Sequence, residues 1–144
     1  MAHGFQPGWR GSVRFAPDRG GFLKQTIAER KTRMQTPKPG QPVRGSRTGK
    51  PIMALFDLLG RSWAMGVLWN LAEGPATFRS LQERCETVSP STLNSRLKEL
   101  KESGLVGRTL DGYILTESGR DLLALLKPLA RWSREWAEAL CRDD

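Results

Sequence analysis

The chain has 144 residues, 38% apolar and 26% charged, with a formal net charge of +8, a composition that can build one modest core and not two. No run approaches the roughly 18 apolar residues of a membrane span, and residues 1–11 lack the apolar stretch of a secretory signal, so a cytoplasmic protein is expected. One histidine, His3, and two distant cysteines, Cys85 and Cys141, offer no metal-ligand spacing and no His-dependent triad, and with no other catalytic motif in view neither an enzyme nor a metal or cofactor site is expected.

Charge is divided unevenly along the chain. Residues 1–50 carry 11 Lys and Arg against 2 Asp and Glu, a charge of +9, whereas residues 51–144 carry 12 against 13, a charge of −1. Basicity therefore belongs to the N-terminal stretch, and nucleic-acid binding cannot be argued from net charge alone. Residues 1–50 are rich in Gly, Pro and cations and show no sustained period, so they are expected to form a disordered basic tail. Phe22, Leu23, Ile27 and Met34 suggest at most a short frayed helix within it. Three readings stay open: a basic arm adding non-specific phosphate contacts, an unstructured leader, and a stretch that is not made, with translation starting at Met34 behind a purine-rich segment encoding residues 29–34.

A folded domain is expected over 51–144. Ile52, Leu55, Phe56 and Leu59 recur at helical spacing and Gly60 closes that helix. Ser62 is placed to cap a second helix from Trp63 to about Glu73, with Val67, Leu68 and Leu71 on its apolar side, stopped by Gly74-Pro75. Thr77 caps a third, with Phe78, Leu81, Cys85 and Val88 inward. Ser89-Pro90 opens a fourth, lined by Leu93, Leu97 and Leu100 and stopped by Gly104. Two β-prone runs, 105–110 and 113–116, follow, joined by Asp111-Gly112 as a tight hairpin. Thr116 then caps a long last helix in which Leu122, Leu125, Leu129, Trp132, Trp136 and Leu140 step by three or four residues, with Pro128 expected to kink or split it. The order predicts a mainly α fold: a winged helix-turn-helix of five helices with a short two-stranded wing.

The fourth helix carries the candidate chemistry. With Leu93, Leu97 and Leu100 buried, Ser91, Ser95, Lys98 and Glu102 fall opposite at about 100° per residue. Thr92 and Glu99 lie on one flank, with Arg96 nearer the core, and Asn94 lies on the other. This face, small and bearing hydroxyls and an amide, suits a major groove roughly 12 Å wide. Thr77, Ser89, Pro90, Ser91 and Thr92 sit at helix starts, where free N–H groups meet phosphates. Arg96, Lys98 and, on the wing, Arg108 add charge. A solvated polar face would look the same on this helix alone; the hairpin and the preceding helix favour the DNA reading.

The sequence resembles the HxlR-type regulators, winged-helix proteins of the MarR-like superfamily. Asp57-Leu58-Leu59-Gly60-Arg61-Ser62-Trp63 resembles their gly-lys-trp opening, and Gly74-Pro75-Ala76-Thr77-Phe78-Arg79-Ser80-Leu81 their gly-pro turn and following helix. The run from Ser89 to Leu100 resembles their recognition helix, and Gly104-Leu105-Val106 with Tyr113-Ile114-Leu115-Thr116-Glu117-Ser118-Gly119 the two sides of their wing. The resemblance covers about residues 51–140. It implies sequence-specific binding of double-stranded DNA by the helix from Pro90 and by the wing, dimerisation through the first and last helices, and no catalysis or cofactor. The chain departs from the family in reading Thr48-Gly49-Lys50-Pro51 where a cysteine often stands, in having only Asp111-Gly112 where the wing usually inserts several residues, and in carrying Ser91 where Arg is frequent.

Cys85 falls at the inward spacing of Phe78 and Leu81, which favours a buried apolar role over a sensor thiol. Trp63, Trp69, Trp132 and Trp136 fit core or interface better than an effector pocket, and no small-molecule effector is legible. Leu129, Trp132, Trp136 and Leu140 continue an apolar stripe past Pro128, beyond the reach of one small domain. With Ile52, Leu55 and Phe56 from the first helix they form the expected homodimer interface. The competing class is a winged-helix protein-interaction module without specific DNA binding, which the nearly neutral domain favours.

Overall fold

The computed structural model of the protein describes residues 35–142; the short helix suggested around Phe22 to Met34 and the alternative start at Met34 lie outside them. Five helices and one hairpin follow in the expected order: α1 (Pro51–Leu59), α2 (Ala64–Leu71), α3 (Phe78–Arg84), α4 (Pro90–Glu102), β1 (Val106–Thr109), β2 (Gly112–Leu115) and α5 (Glu117–Arg142). This is a winged helix-turn-helix.

Three helix starts follow from local chemistry. The Thr77 hydroxyl accepts from the Ser80 N–H at 3.1 Å, Ser89 Oγ from the Thr92 N–H at 3.2 Å and Thr116 Oγ1 from the Gly119 N–H at 3.0 Å, each satisfying one of a helix's orphan donors. Ser62 does not act this way. Residues 61–63 form a tight turn in which Trp63 stands at φ 69°, and α2 starts at Ala64 without a side-chain cap. That turn directs Arg61 inward, as described below.

The core is one cluster built around Val67, Leu68, Leu81, Leu93, Leu97 and Leu100, each at most 1% exposed. Residues 74–76 reach the wing: the Ala76 N–H donates to the Tyr113 carbonyl at 3.0 Å and the Tyr113 N–H to the Ala76 carbonyl at 2.8 Å. This bridge, not foreseen in the sequence, ties the hairpin to the start of α3. The hairpin itself is shifted by one residue from expectation. Thr109 pairs with Gly112, so the tip is Leu110-Asp111, and Gly112 takes φ +123° as the first residue of β2. Only glycine fits there, since a Cβ would stand 2.4 Å from the Ala76 carbonyl oxygen.

The last helix also differs from expectation. Pro128 does not split it; α5 runs unbroken for 26 residues. Its core-facing side is Gly119 and Leu123, flanked by half-buried Leu122 and Leu126, while Leu125 is exposed. Leu125 belongs to the outer stripe with Leu129 and Trp132 and does not share the core-facing side with Leu122. Two apolar stripes about 90° apart share one helix, and periodicity alone cannot say which one faces the core. Gly119 sets how closely α5 approaches: a Cβ on it would lie 2.1 Å from the Leu105 carbonyl oxygen.

The helix-turn-helix is also fastened by charge. Arg61 is buried after α1 and donates from Nη1 to Glu99 Oε1 on α4 at 2.6 Å; its Nη2 stands 3.7 Å from Asp57 Oδ2. The other Glu99 oxygen is paired with Arg96, whose Nε donates to the Ser62 carbonyl at 2.9 Å. Asp57, Arg61 and Glu99 are all less than 9% exposed. Asp57 in turn holds Arg44 at 3.3 Å, so residues 35–50, read in sequence as linker, fold back on the domain. Within them the Gly40 N–H donates to the Gly49 carbonyl at 2.9 Å, Val43 and Ser46 bridge one another, and Val43 is buried.

Two of these contacts and one exposed ion pair give expected outcomes. Gly119→Ala forces α5 off the wing and lowers unfolding free energy by about 1–3 kcal/mol in urea denaturation, as overpacking does. Glu99→Ala removes the buried carboxylate that Arg61 and Arg96 share and lowers it by about 3–5 kcal/mol. Glu83→Ala, which removes only the exposed partner of Arg79, costs under about 1 kcal/mol by the same measurement.

Candidate nucleic-acid interface

The sequence after α3 ends the helix quickly. Cys85 caps it, Glu86 turns at φ 42°, Val88 drops into the core, and Ser89 starts α4. This turn sets α4 across α3 with Leu93, Leu97 and Leu100 inward. The opposite side presents Ser91, Asn94, Ser95 and Lys98, all exposed. Ser95 Oγ donates to the Ser91 carbonyl at 3.0 Å, and the Lys98 ammonium stands 3.9 Å from Glu102. The hydroxyls of Ser89, Ser91 and Thr92 cluster at the helix start, with Ser89 Oγ 2.8 Å from Thr92 Oγ1 and 3.3 Å from Ser91 Oγ. Pro90, in the first turn, supplies no N–H and is exposed beside them.

Arg96 is placed differently from expectation. The sequence put it among the charges available to DNA. In the structure its guanidinium is spent on Glu99 and the Ser62 carbonyl, with its side chain only 16% exposed. It sits on the flank nearest α2, where an inward donor finds acceptors. Thr77 is exposed at the start of α3 but its hydroxyl is engaged in the cap. On the wing, Arg108 is exposed on β1 and its guanidinium lies 5.3 Å from the centre of the Tyr113 ring, a cation–π contact that holds it upright. Leu110 at the tip is fully exposed.

The expected interface residues are mostly exposed as well. On α5, Leu129, Trp132, Trp136 and Leu140 are exposed, and every residue of 131–142 is. The Trp132 and Trp136 rings stack with centroids 6.0 Å apart and planes 6° from parallel. On α1, Ile52 and Phe56 are exposed and Leu55 is half-buried.

Cys85 is buried, as its spacing indicated, and receives a 3.6 Å contact from the Asn70 amide. Burial pushes its thiol pKa up, against a smaller lowering by that amide, so it stays a thiol where a sensor would need a thiolate. The only signal for Arg61 and Glu99 was their place in the family-like motifs; nothing local marked them as buried partners. No single helix among the described residues is long and apolar enough to cross a membrane.

Known proteins share this fold. The family model described as HxlR-like helix-turn-helix matches residues 58–140. An HTH-type transcriptional regulator of Methanocaldococcus jannaschii is 30% identical over 91 residues, 60% of this chain and 86% of that protein. The quinone-bound structure of YodB from Bacillus subtilis superposes with a TM-score of 0.56 at 32% identity, covering 58% of this chain and 96% of the other. A possible HxlR family transcriptional factor from Thermoplasma volcanium gives 0.53 at 28% identity, covering 58% and 82%. The chain belongs to the HxlR-like helix-turn-helix family and is a DNA-binding transcriptional regulator with a winged-helix fold.

Proposed function

We propose that the protein acts in the cytoplasm as a homodimer that lays α4 of each protomer into the major groove of a two-fold operator, by binding alone and without a catalytic step. The observation that carries this reading is the outer face of α4. It is fully exposed, free of bulky side chains at Ser91, Asn94 and Ser95, and backed by three leucines that fix its direction. Asn94, Ser91 and Ser95 are the candidates for base edges. The free N–H groups at the starts of α3 and α4, with Thr77, Ser89, Pro90 and Thr92 around them, are suited to phosphates. Lys98 and Arg108 supply charge on either side. Arg96 acts through position, holding α4 against the Ser62 carbonyl.

Dimerisation follows from the outer stripe of α5. A stacked tryptophan pair with Leu125, Leu129 and Leu140 makes an apolar patch too long for a lone domain to leave in water, and α1 adds exposed Ile52 and Phe56. A two-fold copy covers it and presents two recognition helices to half-sites about 34–36 Å apart. On this reading residues 51–142, with their α5 stripe, are the binding and pairing unit.

Two experiments test the reading. Ser95→Glu puts a carboxylate into the groove and is expected to abolish operator binding by fluorescence anisotropy while circular dichroism stays unchanged; retained affinity would displace α4 from the groove. Trp132→Ala with Trp136→Ala removes four rings per dimer. At about 1 kcal/mol or more each, dimer dissociation is expected to rise about a thousandfold in sedimentation equilibrium. A wild-type monomer at micromolar concentration would refute the dimer.

A further inference from the structure

The segment of residues 35–50 precedes the family match, which begins at residue 58, yet it reaches the recognition helix. The Gln35 carbonyl accepts from Arg61 Nη2 at 2.7 Å, the Thr36 hydroxyl is bonded to Glu102 near the end of α4, and Arg44 is held by Asp57. The strap is thus clamped to the same buried ions that orient α4. Thr36, Lys38 and Gln41 form one wall of an open cavity of about 530 Å³, and Ser95, Lys98 and Glu102 of α4 form the other. The strap therefore stands beside the outer stripe of α4.

We propose that this strap is a second contact to the DNA backbone, in which Lys38 binds a phosphate at the edge of the groove that α4 enters. The proposal rests on the DNA reading above and adds a residue that the family match does not include. Charge favours it. Residues 35–50 hold four cations and no acid, beside a 51–144 region of charge −1. Arg44 is spent on Asp57 and Lys98 is shared with Glu102. Lys38 is exposed and has no ion pair among the described residues. The carboxylates that border the cavity are already engaged: Glu99 by Arg61 and Arg96, Glu102 by Lys98 and Thr36. The cation left to attract an anion there is Lys38.

Backbone stiffness favours it as well. Lys38 stands between Pro37 and Pro39. Each proline fixes its own φ, and Pro39 also restricts the residue before it to extended geometry. Both prolines line a second cleft with Leu55 and Leu58 of α1. On such a backbone only the lysine side chain, and not the main chain, has to be ordered on binding. Hydroxyl, amide and ammonium groups around the cavity match a phosphate and its sugar better than an apolar ligand.

The test measures binding of the full chain to two labelled duplexes of unrelated sequence across a salt series. Lys38→Ala is expected to weaken both complexes by the same factor and to reduce the salt slope by about 0.9 for each protomer bound. Lys38→Arg is expected to keep the wild-type slope, and all three proteins to melt alike. An unchanged slope and affinity for Lys38→Ala would overturn the proposal while leaving the DNA reading intact. Tighter binding by Lys38→Ala would also overturn it, since the strap would then obstruct the groove. A wild-type chain that binds neither duplex would refute the DNA reading itself, and the role of Lys38 with it.

Discussion

The buried pairing of Arg61 with Glu99 and Asp57 is the constraint on which the binding face depends. Three inward leucines give α4 a core-facing side, but an apolar stripe tolerates rotation about the helix axis more easily than a set of directed bonds does. Glu99 removes that freedom. One of its oxygens takes Arg61 from the α1–α2 turn and the other takes Arg96 from its own helix. Turning α4 by one residue would swing the carboxylate through about 100°, break its bond to Arg61 and carry Arg96, on the same helix, away from the Ser62 carbonyl. Buried ion pairs add little net stability but cost several kcal/mol when one partner is lost; that asymmetry makes them good at specifying one arrangement. Arginine suits this position better than lysine, because its planar fork reaches two carboxylates and a carbonyl at once.

The same pairing explains why a DNA-binding domain is so nearly neutral. Arg44, Arg61 and Arg96 all face the buried carboxylates Asp57 and Glu99. Their charge is spent on architecture. Attraction to phosphate falls to the few cations outside these pairs and to the basic residues before α1. Net charge over residues 51–144 therefore understates a role in nucleic-acid binding, and the whole-chain value overstates it, because the excess sits in the first 50 residues.

What could be read from sequence was local. The caps at Thr77, Ser89 and Thr116 each act within three residues, so helix starts were legible. Cys85 was assigned inside because its neighbours Phe78 and Leu81 share its helical phase. Contacts that span the chain were not legible. Arg61 and Glu99 are 38 positions apart, and each alone reads as a solvated charge. Arg96 went wrong for the same reason: its acceptor, the Ser62 carbonyl, is 34 residues away. Residues 35–50 have the Gly, Pro and cation content of a linker, and their order comes from Asp57, Arg61 and Glu102, none of them nearby in sequence. On α5 two apolar stripes competed, and only the close approach of Gly119 to Leu105 decides that Leu123 faces the core and Leu125 does not. The hairpin slipped by one because Asp-Gly commonly occupies the two-residue tip, whereas here Gly112 is needed one step later, against Ala76.

That slip bears on how the wing is used. A tip of Leu110-Asp111 carries an apolar side chain and a carboxylate, and a carboxylate at the tip is repelled by the phosphates that line a minor groove. The cation that the wing offers to the proposed DNA contact is Arg108, two residues back, braced by Tyr113. A wing so short and so tipped is suited to steadying the protein on one backbone strand rather than to reading bases. On the proposed reading sequence discrimination rests on α4, and a helix with small polar side chains discriminates only if its distance from the bases is well fixed. Backbone contacts on both flanks of α4 would meet that need, Arg108 from the wing and Lys38 from the strap, with the Arg61–Glu99 clamp holding helix and strap in one rigid frame.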